Sequence, residues 1–338
     1  MTHQRRISFV SLYVLSAAWS AACAPSGGFK ITPIPADQTL QEQVVERDPG
    51  WISDRIALID ISGILMNAHE PGLFSEGEHP LSLAVENLSA AASDNRVKAV
   101  VLRINSPGGT VTASDTLYEE VLAFKKKTGK PVVAYFQDLA TSGAYYTACA
   151  ADEIIAQRTT VTGSIGVIMQ MVDVSDTMSK LGISADAITS GPFKDAGSPL
   201  RKMKPEEREV FARLVDGFYR QFLAVVASGR PKLTPQEIAI LADGRIYTAE
   251  QALKSGLVDR IGTIHDAINA AKNRANLTAA HTVRYVRPLG WSPNVYAQAP
   301  SPGSPKTSIF TIILPFLWTE RPTFMYIWDG SAVWVPPR

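Results

Sequence analysis

The run Val97-Lys98-Ala99-Val100-Val101-Leu102-Arg103-Ile104 passes directly into Asn105-Ser106-Pro107-Gly108-Gly109, and a helical pattern follows over Ala113–Lys127. Lys98 and Arg103 are the only polar members of the run, which is the composition of a strand buried on both faces. The Pro-Gly-Gly turn ends it, and Leu117, Val121 and Phe124 form one stripe on the next helix. Working outward, the unit recurs. Ile56–Ile61 and Val132–Phe136 are apolar runs of strand length, and Leu81–Ala92 carries Leu81, Leu83, Val85 and Leu88 as a helical apolar set. Ser164–Met169 and Ile183–Ile188 are expected as two more short strands. Strands alternating with helices predict an α/β fold, with helices packed on a mostly parallel sheet.

Beyond these strands the pattern turns helical. Pro205–Ser228 places Phe211, Leu214, Val215, Phe218, Phe222 and Val226 at helical spacing. Thr234-Pro235-Gln236-Glu237 is a capping box with proline at the first helical position. Thr248 starts another helix, which Gly256 can stop in the left-handed conformation.

The chain has 338 residues, 46% of them hydrophobic and 19% charged, enough for one large domain with a sizeable core. With 33 basic and 32 acidic residues the formal charge is +1, which argues against nucleic acid as a partner. Cys23 and Cys149 are the only cysteines, which excludes a disulfide scaffold and a cysteine-built zinc site.

Both ends differ from this middle. Met1–Arg6 is basic, Ile7–Ala22 is apolar and uncharged, and Ser20-Ala21-Ala22 precede Cys23. This is the layout of a secretory signal, and a cysteine after small residues also suits lipidation at Cys23. The uncharged run is short for a membrane span. Gly27–Gly50, with Pro33, Pro35 and Pro49, reads as a linker. At the other end, Pro293–Pro305 is a Pro/Ser-rich spacer, and Trp291, Trp318, Trp328 and Trp334 crowd the tail. Packing on the domain, on another subunit, or against a membrane interface are the open readings of that tail.

The chemistry is found by elimination. The histidines are His3, His69, His79, His265 and His281, so none falls between residues 80 and 264, where the candidate nucleophiles lie. No zinc-type His-x-x-x-His pair or phosphate-cradling glycine loop is present, and no cofactor is expected. What remains is Leu139-Ala140-Thr141-Ser142-Gly143-Ala144-Tyr145-Tyr146, shortly after a predicted strand. Small residues around a serine at a strand-to-helix transition let its hydroxyl project from the carboxyl edge of the sheet. By itself the segment also reads as a plain helix N-cap. Asn105-Ser106-Pro107-Gly108-Gly109 holds the same position after its own strand, where glycines let a backbone N–H point into a site; an ordinary strand-exit turn is the alternative. Two such donors form an oxyanion hole. With no histidine nearby, the candidate base is Lys194, in Ser190-Gly191-Pro192-Phe193-Lys194-Asp195-Ala196-Gly197-Ser198-Pro199. A loop lysine is ordinarily solvated and charged, and a lysine base must be desolvated. Cys149 is expected as a buried small hydrophobe.

Taken together these blocks resemble bacterial signal peptide peptidase A in its short, single-domain form. The resemblance rests on Asn-Ser-Pro-Gly-Gly, Thr-Ser-Gly-Ala-Tyr-Tyr around Ser142, and Gly163-Ser164-Ile165-Gly166-Val167. It is completed by the Lys194 segment, Gly244-Arg245-Ile246-Tyr247-Thr248 and Gly256-Leu257-Val258-Asp259, and it spans about Ile56–Ile264. It implies a Clp/crotonase-like fold of repeated β-β-α turns with C-terminal helices. It implies a serine endopeptidase with Ser142 as nucleophile, Lys194 as general base and Ser164 holding the lysine, with Gly109 and Gly143 as oxyanion-hole donors. It further implies remnant signal peptides as substrates, attachment to a membrane of the bacterial envelope, facing the periplasm or exterior, and a homo-oligomeric ring whose subunits share the dyad. The expected organisation is a signal over 1–22, a linker over 23–52, a peptidase domain over 53–288 and a tail over 289–338. A crotonase-fold acyl-CoA enzyme and a catalytically silent envelope scaffold are the competing expectations.

Overall fold

A computed structural model of the chain describes residues 39–67, 80–287 and 324–328. The signal, Cys23, His3, His69, His79 and most of the tail lie outside these residues. The chain runs β1 (Gln41–Glu46), β2 (Arg55–Ser62), α1 (Pro80–Ser93), β3 (Val97–Ser106), β4 (Gly108–Thr110), α2 (Val111–Thr128), β5 (Val132–Thr141), α3 (Gly143–Ala148), β6 (Glu153–Ala156), β7 (Val161–Gly163) and β8 (Ile168–Met169). It continues through α4 (Ser175–Lys180), α5 (Pro205–Gly229), α6 (Pro235–Leu241), β9 (Ile246–Thr248), α7 (Ala249–Lys254), β10 (Arg260–Ile261), α8 (Ile264–Arg274), β11 (His281–Val286) and β12 (Phe324–Ile327).

The main sheet has the order β1-β11-β2-β3-β5-β6-β10, with β7 beside β5 and β9 beside β7. Its pairings from β11 through β10 are parallel, and so is β5 with β7; β1 with β11 and β7 with β9 are antiparallel. This is the expected α/β class with a parallel-rich sheet. The reason lies in the period of the strands. Ala57, Ile59 and Ile61 of β2, Val100, Leu102 and Ile104 of β3, and Val132, Ala134 and Phe136 of β5 face one core with α1 and α2. Their alternates Ile56, Leu58, Ala99, Val101, Val133 and Tyr135 face a second core built with α8. Strands buried on both faces carry no polar alternation, which is why they read as continuous apolar runs.

The second face ends in charge. Arg103 follows Ala99 and Val101 on it, and its Nε donates to Asp60 Oδ1 at 2.6 Å from the neighbouring strand. Arg284 of β11 donates to the other oxygen of the same carboxylate. Both guanidinium groups are buried, so Asp60 ties three strands where the helical cover ends.

Some predicted elements differ. Val132–Phe136 extends to Thr141 and so delivers Ser142 directly from the sheet. Of Ser164–Met169 only Ile168–Met169 is strand, because Ser164 takes φ +50°, which extended pairing does not accommodate. Ile183–Ile188 is not a strand; Ile183 is 52% and Ile188 104% exposed, and no neighbouring strand of the described chain offers an edge to its amides. β1 falls inside the stretch read as linker, pairing with β11. Its sequence Gln-Glu-Gln-Val-Val-Glu is polar because it is the edge of the sheet, so it lacks the signature of a buried strand. The Thr234 and Thr248 caps form as expected, each accepting from the backbone N–H three residues on.

Asp60→Ala leaves two buried guanidinium groups without their shared carboxylate. It is expected to cost about 3–5 kcal/mol in urea unfolding, a loss typical of broken buried ion pairs.

Candidate active site

Because β2, β3 and β5 are parallel, their carboxyl ends finish at one edge of the sheet, and the loops leaving them are neighbours. From β5 the chain turns into α3 at Ser142, which has φ +53° and ψ −117°. A non-glycine residue in that region is strained and persists only where its surroundings enforce it. Here the Ser142 N–H donates to the Gly163 carbonyl at 2.7 Å, and the Ser142 carbonyl accepts from Tyr146 N–H at 2.9 Å. The side chain caps nothing: Ser142 is 1% exposed, and its Oγ is buried without a hydrogen-bond partner. That disposes of the plain N-cap reading and leaves a hydroxyl held ready for another role.

The loop after β3 closes on the same point. A Cβ on Gly108 would stand 2.6 Å from the Gly143 nitrogen, and one on Gly143 would stand 2.1 Å from Ser114 Oγ, so both positions require glycine. The Gly108 N–H is engaged by Ser106 Oγ at 3.1 Å. Leu65 lies along one edge of β4, its N–H donating to the Gly108 carbonyl and its carbonyl accepting from Thr110 N–H, both at 2.8 Å. By strand alternation the Gly109 amide faces the opposite edge.

Ser164 follows Gly163, whose carbonyl holds the Ser142 amide, and its own N–H donates to the Arg245 carbonyl at 2.8 Å. Ser142, Gly143, Gly109 and Ser164 therefore meet. Lys194 does not join them within the chain. Its side chain is exposed, in a run of turns over 191–197. The neighbouring Asp195 pairs with Arg201 at 2.6 Å, which holds its carboxyl down to about 2. Arg201 also reaches Glu207 at the start of α5, so the acid beside Lys194 is already engaged elsewhere.

Three further features carry no local signal in the sequence. Ser106 and Ser114 pack the two glycine turns. Tyr145 anchors α3 by donating to the Leu257 carbonyl at 2.8 Å, and Asp259 pairs with buried Arg230 at 2.8 Å, which gives the Gly256–Asp259 block a structural task. Finally β12, from the tail, pairs with β4 and β8 and covers the site. Trp328 belongs to this segment, its N–H donating to the Pro107 carbonyl at 3.1 Å, so this part of the tail packs on the domain.

A buried, strained serine at the carboxyl edge of a parallel sheet, with close-packed backbone amides beside it, is the setting of an acyl-transfer hydrolase. Comparison with known proteins narrows the class. The model of peptidase family S49 matches residues 124–278, a span that contains Ser142, Ser164 and Lys194. A putative signal peptide peptidase SppA of Enterococcus faecium is 35% identical over 249 residues, covering 74% of this chain and 70% of that protein. A putative protease of Methanocaldococcus jannaschii is 39% identical over 214 residues, 63% of this chain and 68% of that one. Protease 4 of Salmonella typhi is 34% identical over 239 residues, but these make up only 38% of its length. The chain belongs to peptidase family S49 and is a serine peptidase of the signal peptide peptidase A type. The expected Clp/crotonase-like fold agrees with that membership.

Cys149 is buried as expected, and burial pushes its thiol up to about 12. Native protein should resist iodoacetamide at neutral pH and react only after unfolding, as read by mass spectrometry; rapid native alkylation would contradict that burial. Gly108→Ala should abolish turnover of any peptide substrate and lower the melting temperature, because the new Cβ meets backbone atoms that cannot step aside.

Proposed function

We propose that this peptidase is an endopeptidase that cleaves through Ser142 and Lys194. The observation that carries the reading is the buried Ser142 Oγ, aimed into the site with no partner on a backbone of φ +53°. Uncharged Lys194 takes the Ser142 proton as the hydroxyl attacks a peptide carbonyl. The Gly109 and Gly143 amides bind the oxyanion, the lysine returns the proton to the leaving amine, and water resolves the acyl-enzyme. Ser164, beside Ser142, holds the lysine amine.

The base comes from a neighbouring copy of the chain. Two observations support this. Lys194 is exposed in its own chain while Ser142 is enclosed. The segment carrying Lys194 also presents Leu181, Ile183, Ile188, Phe193 and Leu200, which are 70%, 52%, 104%, 50% and 46% exposed. Large apolar side chains gathered on one exposed segment mark a surface that another subunit covers. Covering it would also desolvate the lysine, the condition a lysine base needs.

The substrates we infer are apolar peptides left after signal peptide removal. This follows the description of the Enterococcus relative as a putative signal peptide peptidase. The basic and apolar start of the chain, with Cys23 as a site for a lipid, supports attachment to a membrane of the envelope, facing away from the cytoplasm. Among the described residues, no helix is long and apolar enough to cross a membrane.

Ser142→Ala and Lys194→Ala should each lower kcat/KM at least about 10³-fold on an apolar fluorogenic peptide, with circular dichroism unchanged. Mixing the two inactive proteins should restore part of the activity, because some sites then combine an intact serine with an intact lysine. No recovery on mixing, with both variants assembled normally, would show that the dyad is not shared.

A further inference from the structure

Without its middle strand the small sheet would be a slot. β12 runs antiparallel to both β4 and β8 and lies between them. Adjacent strands stand about 4.8 Å apart, so β4 and β8 are separated by roughly two such spacings and cannot pair with each other. Their facing amides and carbonyls need an extended chain between them.

The register of that chain places one carbonyl at the reacting centre. Tyr326 stands opposite Gly109, and Ile327 opposite Gly108. Leu65 takes up the far edge of β4, so the Gly109 amide faces Tyr326. The Tyr326 carbonyl oxygen is 2.1 Å from where a Cβ of Gly108 would be, and 3.1 Å from that of Gly143. A peptide carbonyl thus rests against the same glycines that were assigned to the oxyanion, beside Ser142.

The side chain of the same residue is enclosed. Tyr326 is 0% exposed. Its ring stacks on Tyr146 with centroids 5.1 Å apart and tilts against Phe222 at 4.7 Å, and its hydroxyl donates to the Phe218 carbonyl at 2.7 Å. A flat apolar ring fills this pocket, whereas a carboxylate there would be desolvated against aromatic faces and a carbonyl oxygen.

We propose that the slot between β4 and β8 is the peptide-binding groove, that the pocket of Tyr146, Phe218 and Phe222 selects an aromatic side chain on the acyl side of the cleaved bond, and that β12 holds the groove as the chain's own tethered competitor. The assignment of the acyl side rests on Ser142 as nucleophile; the groove and its occupant do not. A tethered segment competes at a local concentration of roughly millimolar order, so free peptides of moderate affinity are held off until β12 leaves.

The test uses full-length chains and a fluorescein-labelled synthetic peptide of the sequence 321–330. In a Ser142→Ala background, which prevents turnover, adding Tyr326→Ala should tighten peptide binding by at least about ten-fold in fluorescence anisotropy, because the tethered competitor is weakened. A peptide carrying Tyr326→Asp should bind at least about ten-fold more weakly than the native peptide, as burial of an unpaired carboxylate requires. Met325→Pro, which removes an amide from β12 but keeps the ring, serves as second variant should Tyr326→Ala melt. Equal affinity with and without the tail substitution, or indifference to the aspartate, overturns the proposal. A fluorophosphonate separates the two readings. If Ser142 resists it while binding behaves as described, the nucleophile falls and the groove stands. If Ser142 is labelled at the same rate with and without the tail substitution and the affinities coincide, the groove occupant falls and the nucleophile stands.

Discussion

The approach of two backbone turns, the Gly108 Cα against the Gly143 nitrogen, is the constraint from which the site is built. It exists because β3 and β5 are adjacent and parallel, so the loops after them leave the sheet side by side. Any side chain between them would hold the turns apart. Glycine at 108 and 143 lets the chain close to a distance at which amides from two loops can serve one atom. The same closeness confines Ser142, whose amide is pinned by the Gly163 carbonyl and whose φ of +53° turns the hydroxyl away from its own helix. Strain of this kind costs of order 1–3 kcal/mol, and the sheet on either side is what sustains it.

That sheet is held in two different ways. Over most of its area both faces are apolar, covered by α1 and α2 on one side and α8 on the other. At the carboxyl edge, where loops replace helices, charge takes over: Asp60 between Arg103 and Arg284, and Asp259 with buried Arg230. Each of these pairs also draws in a distant part of the chain. The parts of the site that must not move are thereby tied to directional contacts.

The surfaces next to the site are of the opposite character. The segment from Leu181 to Leu200 carries exposed apolar side chains and Lys194, and it packs against little within its own chain. β12 reaches the site from the far end of the sequence. Under our reading both describe one arrangement, a half-site that another subunit completes and a groove that a strand must fill. The structure presents a rigid serine and glycine pair, and leaves the base and the occupant to segments from elsewhere.

The twofold burial of the strands was legible in residue order alone, because a strand covered on both faces is a continuous apolar run and its terminating Pro-Gly-Gly turn is unmistakable. So were the serine, the glycine turns and the lysine, since their elements are local and the histidine that would compete with the lysine is missing between residues 80 and 264. The polar edge strand β1 was not legible, because an edge needs no apolar pattern. Nor was the role of Tyr326, in a Trp-rich tail whose hydrophobicity suits a membrane or a second subunit as well as its own domain. Those are questions of which surfaces meet across long stretches of chain, and only the folded arrangement of β4, β8 and the aromatic pocket decides them. Local order determines what each segment can become; the company it keeps is set by the cavity left when all the other segments have packed.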